Sequence, residues 1–191
     1  MPKHRHFIIH KPFGYLSQFV NNQDKRKNKK LLGELGEFPE GIMAIGRLDE
    51  NSEGLLLLTT NGVESENVRS KKVEKEYYAQ LDGVITDEAI EQLRNGVEIG
   101  IRNVKYVTNV CTANKLIVVP EFEPLKRVRS ERHGPTSWVS ITLTEGKYRQ
   151  VRKMTAAVGF PTIRLIRMRI GAILLGNLTA GEVAEVAEFE L

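Results

Sequence analysis

The sequence has little cysteine, no long apolar run and few acidic residues near its start. Cys111 is the single cysteine, so an internal disulfide and a cysteine metal cluster are both excluded. Such a chain suits a reducing cytoplasm. No stretch reaches the roughly 18 consecutive apolar residues of a membrane-spanning helix. The basic residues 1–6 lead into only a short apolar segment, which predicts no export signal.

Positive charge is concentrated in two parts of the chain. Residues 1–30 contain eight Lys or Arg against one acidic residue, and residues 145–169 contain seven against one. Residues 170–191 have four Glu and no basic residue. Separated positive charge is typical of proteins that bind a polyanion, because each phosphate contact releases counterions. A nucleic acid partner is therefore expected, and a merely solvated basic surface is the alternative.

The length of 191 residues predicts one domain, or two intimate subdomains. Alternating or continuous apolar residues predict strands. A short helix is predicted between Thr86, which caps its start, and Asn95-Gly96, which ends it. A second helix is expected to open within the motif at residues 145–154 and to end at Gly159, with Val151, Met154 and Val158 on its apolar face. The predicted strands include Phe7–His10, Val73–Asp82, two strands within Tyr106–Pro120 on either side of residues 113–115, Ser137–Thr144 and Thr162–Gly171.

One acidic residue, Asp49, lies in a polar loop between two apolar runs. The loop is part of the segment GRLDENSEGLLLLT, residues 46–59. The apolar run Ile42–Ile45 precedes the loop, and the apolar run Leu55–Leu58 follows it. Short apolar runs bracketed by turn residues predict buried strands, so the carboxylate is expected at the edge of a core. A plain turn, in which the Asp oxygens accept backbone hydrogen bonds, is the alternative.

Three motifs in order resemble one family. In chain order they are Lys11-Pro12 with Gly14, the Asp49 loop, and EGKYRQVRKM at residues 145–154. The segment from Leu165 to Gly171 follows them and resembles the same family. Together they resemble the RsuA/RluB/RluE/RluF family of ribosomal RNA pseudouridine synthases. Residues 17–19 and 135–138 are most similar to its RluE branch, which acts on the large subunit. The chain begins almost at its first strand, so the small N-terminal S4 domain of many relatives is not expected.

The resemblance implies an α+β pseudouridine synthase fold, with a mixed, mostly antiparallel sheet, flanking short helices and a central basic cleft. It also implies isomerisation of a uridine, in 23S ribosomal RNA, with no cofactor and no metal. A monomer is the default expectation. The catalytic carboxylate of the family falls on Asp49. Three chemical roles stay open for it: attack on the ribose, attack on the uracil ring, or removal of a sugar proton.

The resemblance also assigns supporting residues. Arg152 is expected to keep Asp49 ionised, with Arg149 as the alternative, because many relatives have His where this chain has Arg149. Tyr77 is expected to stack on the flipped uracil, and core packing is the alternative. Arg47 and Leu165 complete the predicted active site. The predicted RNA-binding residues are Lys11, Lys126, Arg127, Arg129, Arg132, Arg149, Lys153 and Arg167.

Two other functions are compatible with parts of the sequence. A non-catalytic RNA-binding module would use the basic surfaces but leaves the carboxylate loop unexplained. A metal-dependent hydrolase would use His4, His6 and His10, which have no companion carboxylate motif. The isomerase accounts for more of the sequence than either.

Overall fold

A computed structural model of the chain describes residues 4–20, 28–70, 73–124 and 134–190. The chain divides into two compact units. Unit 1 consists of Met1–Val73 and Ile166–Leu191, and unit 2 consists of Glu74–Leu165. None of the helices within the described ranges is long and apolar enough to cross a membrane.

Strands make up most of the regular structure. In chain order they are β1 (His6–Lys11), β2 (Tyr15–Leu16), β3 (Lys30–Leu31), β4 (Met43–Ile45), β5 (Glu53–Thr59), β6 (Lys75–Asp82), β7 (Glu98–Ile101), β8 (Val104–Val107), β9 (Thr112–Leu116), β10 (Thr136–Leu143), β11 (Thr162–Ile170), β12 (Ile173–Leu174) and β13 (Val183–Val186). The helices are α1 (Gly62–Ser70), α2 (Asp87–Asn95) and α3 (Gln150–Ala157), with a 3-10 turn at Leu32–Leu35.

Unit 1 is built around β5. This strand pairs antiparallel with β1 and β4, and β1 in turn pairs with β13. The middle of β11 pairs parallel with the start of β5, where Ile166 lies opposite Glu53. Every residue of β5 is buried, because paired strands lie beside it and side chains cover both faces. The Asp49 loop therefore leads directly into the most buried strand of the unit.

Unit 2 carries the antiparallel strands β6, β10 and β9 with helices α2 and α3. Alternate residues of β6 and β10, among them Ala79, Leu81 and Ile141, are buried in its core. The Thr86 side chain accepts a hydrogen bond from the Ala89 amide at 3.2 Å and so caps α2. Strands β7 and β8 form a separate hairpin.

The sequence predictions are confirmed for the α+β class with a mixed, mostly antiparallel sheet, for six of the strands, among them β4 and β5 on either side of the Asp49 loop, and for both helices. One prediction is wrong. Residues 113–115 do not separate two strands, because all three lie inside β9. The break between the two strands of this stretch is instead at residues 108–111, between β8 and β9. A further turn, at Arg102 and Asn103 with φ of 49° and 65°, joins β7 to β8. Arg is uncommon in that conformation, so the sequence did not indicate the turn.

Candidate active site

Asp49 lies in the connection between the antiparallel strands β4 and β5. Gly46 starts this loop in a left-handed conformation with φ of 71°. The Asp49 carbonyl accepts a hydrogen bond from the Ser52 amide at 3.0 Å, which closes the turn. Asp49 is half-buried and Arg47 is exposed. The predicted position of the carboxylate, at the edge of a core, is confirmed.

Both neighbours of Asp49 are held in place by residues that follow β1. The Ser17 hydroxyl donates to the Leu48 carbonyl at 2.8 Å and accepts from the Leu48 amide at 2.9 Å. On the other side, the Gly14 amide donates to the Glu50 carbonyl at 2.7 Å. A residue fixed on both sides loses little conformational freedom on binding its substrate, which is the preorganisation that a catalytic group needs.

Three charged side chains are buried near the start of β5. Lys11 has no exposed surface, Glu53 is 2% exposed and Arg167 is 3% exposed. The Lys11 ammonium donates to the carbonyls of Pro12 at 2.8 Å and Tyr15 at 2.7 Å. Arg167 donates through Nε to the Leu55 carbonyl at 2.7 Å. The Arg167 contact joins β11 to β5, and the Lys11 contacts hold residues 12–15 against the end of β1.

This burial corrects part of the predicted RNA surface. Lys11 and Arg167 were expected to contact phosphate, but both are shielded from solvent and donate to backbone carbonyls. Lys and Arg are rarely fully buried without partners, and here the partners are inside the protein. The Lys-Pro-x-Gly motif therefore supports the loop: its Lys is buried at the end of β1, and its Gly holds Glu50.

Burial lowers the pKa of Lys11 from 10.5 to about 7. The negative charges of Glu53, Asp49 and Glu50 raise this pKa, and the positive charge of Arg167 lowers it, but burial has the largest effect. The folded protein thus binds this proton less tightly than the unfolded chain. Lys11 consequently contributes a rise in stability as pH increases from about 7 towards 10.5, and no pH dependence below the folded pKa. A neutral amine still has two N–H donors for its two carbonyl partners.

We expect Lys11→Met to change the free energy of unfolding in a pH-dependent way. Between pH 6 and pH 9 the wild-type protein should gain about 2.7 kcal/mol relative to the variant, since the two pH units above the folded pKa correspond to about 1.4 kcal/mol each. Urea unfolding of both proteins at several pH values measures this difference. Lys30→Met, at an exposed position, controls for the loss of one positive charge. A difference that stays constant from pH 6 to pH 9 would contradict the assignment.

The predicted supporting residues Tyr77, Leu165 and Arg152 belong to unit 2. Tyr77 is partly buried and packs against the core of this unit, opposite Ile141 on β10. Leu165 is 6% exposed and belongs to the same core. Arg152 donates through Nη1 to the Thr162 carbonyl at 3.3 Å. For Tyr77 and Leu165 the packing fits the structural alternative, and their roles beside a base stay predictions.

The loop before α3 is fixed by a partly buried hydrogen-bond network. The Glu145 carboxylate accepts from the Tyr106 hydroxyl at 2.5 Å, from the Asn109 amide at 2.9 Å and from Gln150 Nε2 at 2.6 Å. We call these four residues the Glu145 clamp. It keeps the pKa of Tyr106 above its usual value, because the phenol hydrogen bonds to a carboxylate. Arg149, at the start of α3, is left-handed with φ of 52°.

The other predicted residues have varied positions. Lys153 donates to the Gly100 carbonyl at 2.6 Å. The basic residues Lys126, Arg127, Arg129 and Arg132 lie outside the described residues.

The sequence did not reveal the roles of Ser17 and Glu145. Ser17 acts on a residue 31 positions away, and only its place shortly after the Lys-Pro-x-Gly motif could have pointed to it.

The histidines of the alternative metal site have other contacts. Nδ1 of His6 lies 3.0 Å from the Thr59 hydroxyl, and Nδ1 of His10 lies 2.7 Å from the Leu178 carbonyl. Within the ranges that the structure describes, no three His, Cys, Asp or Glu side chains are grouped to hold a metal ion.

Comparison with known proteins gives consistent matches. A family model described as RNA pseudouridylate synthase matches residues 5–157. A Vibrio parahaemolyticus protein named ribosomal large subunit pseudouridine synthase E is 37% identical over 182 residues, which cover 94% of this chain and 72% of that protein. A Salmonella typhimurium protein named ribosomal small subunit pseudouridine synthase A is 32% identical over 191 residues, covering 98% and 72%. A crystal structure of a pseudouridylate synthase has a TM-score of 0.75 at 25% identity, over 97% of this chain and 71% of the other.

Proposed function

Because the chain belongs to the RNA pseudouridylate synthase family, we propose that it isomerises one uridine of large-subunit (23S) ribosomal RNA, with Asp49 as the catalytic carboxylate. The observation that carries the proposal is the position of Asp49. It is a half-buried acidic residue, fixed through both neighbours, in the loop that resembles the family's signature. The name of the 37% identical Vibrio protein supports the large subunit as the source of the substrate.

The proposed reaction needs no external reactant. The bond from uracil N1 to the ribose C1′ breaks, and a bond from C5 to C1′ forms. C5 then loses its proton and N1 carries one, so atoms and electrons balance within the nucleotide. A carboxylate suits this chemistry because it can attack as a nucleophile, stabilise positive charge on the ribose or accept a proton. The reaction requires no metal and no cofactor.

The remaining roles at the site are part of the same proposal. The target uridine must leave its stack before Asp49 can act, which costs a few kilocalories per mole that contacts with the protein repay. Tyr77 and Leu165 are proposed to contact the flipped base, and Arg47 to support the loop. Arg152 is proposed to keep the carboxylate ionised, with Arg149 as the alternative. We also propose that the enzyme acts as a monomer in the cytoplasm.

Substrate choice has one supported alternative. The 32% identical Salmonella protein is named for the ribosomal small subunit, so 16S ribosomal RNA is the second candidate. Transfer RNA and a purely RNA-binding role have no comparable support among these relatives.

Mapping of pseudouridines in all stable RNAs, in cells with and without the gene, distinguishes these substrates. We expect one site in the large-subunit RNA to disappear when the gene is deleted, and to return on expression of the wild-type protein. Loss of a site in small-subunit or transfer RNA would replace the proposed substrate. An unchanged set of sites would contradict the proposed function.

A further inference from the structure

The loop between β10 and α3 exposes an aromatic side chain that the proposed reaction does not use. Tyr148 is 65% exposed, next to the Arg149 that starts α3. A tyrosine ring that is mostly exposed on a fixed loop presents a large flat surface that a ligand can contact. Aromatic side chains among basic residues are typical of surfaces that stack on single-stranded nucleic acid.

The backbone that carries Tyr148 is held by the Glu145 clamp. Glu145 and Gln150, at either end of the loop, are hydrogen-bonded to each other at 2.6 Å. Gln150 also accepts from the Lys147 amide through Oε1 at 2.9 Å, which fixes the residue directly before Tyr148. The clamp reaches to Tyr106 on β8 and to Asn109. A ring on such a loop loses little entropy on binding, which favours stacking.

One basic side chain lies beside the ring, and two more lie on the same loop and on the β7–β8 hairpin. The Lys153 ammonium lies 5.2 Å from the centre of the Tyr148 ring and also donates to the Gly100 carbonyl on β7. The Lys147 ammonium lies 4.7 Å from the Tyr106 ring. Lys105, on β8 opposite Gly100, is exposed and paired with Glu98 at 2.9 Å. Lys153, beside the ring, and Lys147, next to Tyr148 in sequence, supply positive charge for phosphates adjacent to a stacked base.

We propose that Tyr148 is a stacking platform for an unpaired base of the substrate RNA, with Lys147 and Lys153 contacting the adjacent phosphates. This subsite is separate from the role proposed for Tyr77, because Tyr77 packs on the core of unit 2 and Tyr148 is exposed. The inference rests on the proposed function in one respect, the identity of the ligand as RNA. Duplex RNA, whose bases are already stacked on each other, offers no such partner.

The test uses an oligouridylate of about ten nucleotides, within the usual site size for single strands, and a duplex RNA of equal length. We expect Tyr148→Ala to weaken oligouridylate binding about tenfold and to change duplex binding less than twofold. Tyr148→Phe keeps the ring and should bind within twofold of wild type. Val84→Ala, also at an exposed site of unit 2, is the control for trimming a surface side chain.

The salt dependence of binding separates stacking from charge. Tyr148→Ala should leave the slope of log Kd against log salt unchanged, whereas Lys147→Met should reduce it by about one. The proposal would be overturned if Tyr148→Ala bound oligouridylate with wild-type affinity, or if Tyr148→Phe and Tyr148→Ala lost the same affinity. It would also be overturned if the wild-type protein did not bind oligouridylate. Pseudouridine formation in unmodified ribosomal RNA is measured separately. An absence of pseudouridine formation in that assay would contradict the proposed function and would leave the binding result for Tyr148 unaffected.

Discussion

Replacement of Asp49 by Asn should lower the rate of pseudouridine formation by at least about 10³-fold, because loss of the group that reacts with the substrate removes most of the catalysis. The change keeps the size of the side chain and removes its charge. The contacts that fix the loop come from the backbones of Leu48 and Glu50 and should survive. RNA affinity should therefore stay within about threefold, since binding depends mainly on phosphate contacts elsewhere.

Single-turnover conversion of unmodified ribosomal RNA, with the dissociation constant measured in parallel, checks this prediction. Glu50→Gln is the matched control: it removes one negative charge from the same loop, at a side chain that is ion-paired with Lys29. We expect it to lose less than tenfold in rate. If Asp49→Asn kept more than a tenth of the wild-type rate, the catalytic role of Asp49 would be wrong.

Replacement of Gly54 by Ala should destabilise the protein by about 4 kcal/mol. Gly54 has φ of 104° in β5, where it pairs with Arg167 of β11. A Cβ atom at this position would lie 2.3 Å from the Arg167 carbonyl oxygen and 2.5 Å from its amide nitrogen. Left-handed strain costs roughly 1–3 kcal/mol and overpacking roughly the same again. Because both contacts are to backbone, the strands must separate.

Urea unfolding measures this difference, and Gly41→Ala supplies its control. Gly41 also has a positive φ, of 77°, but within the described residues no atom would lie within 4 Å of an added Cβ. Its replacement should cost about 1 kcal/mol, the strain of the backbone alone. Equal destabilisation by the two substitutions would show that the close approach of β5 and β11 does not limit the residue at position 54.

Local patterns predicted the elements whose causes lie within a few residues. Leu55–Leu58 are apolar without a break, and β5 is buried throughout. Thr86 caps the start of α2, and Gly96, which has a positive φ, ends it. Both effects involve only the backbone of nearby residues, so the local sequence predicts them. The motif containing Asp49 likewise predicted both its loop and its place at the edge of the core.

Features that depend on distant residues were missed. Lys11 resembled a surface cation, but the carbonyls of Pro12 and Tyr15 and the buried Glu53 give it partners inside the protein. The contact of Ser17 with Leu48 joins two loops that are far apart in sequence. Glu145 was expected only as part of a motif, and its partners Tyr106 and Asn109 come from another region of unit 2. Composition and periodicity contain no information on such pairings.

The most direct test of the account is incubation of the purified protein with unmodified large-subunit ribosomal RNA, followed by mapping of pseudouridine at single-nucleotide resolution. We expect conversion at one uridine by the wild-type protein and none by Asp49→Asn under the same conditions. An absence of pseudouridine after incubation with the wild-type protein, or equal conversion by the two proteins, would contradict it.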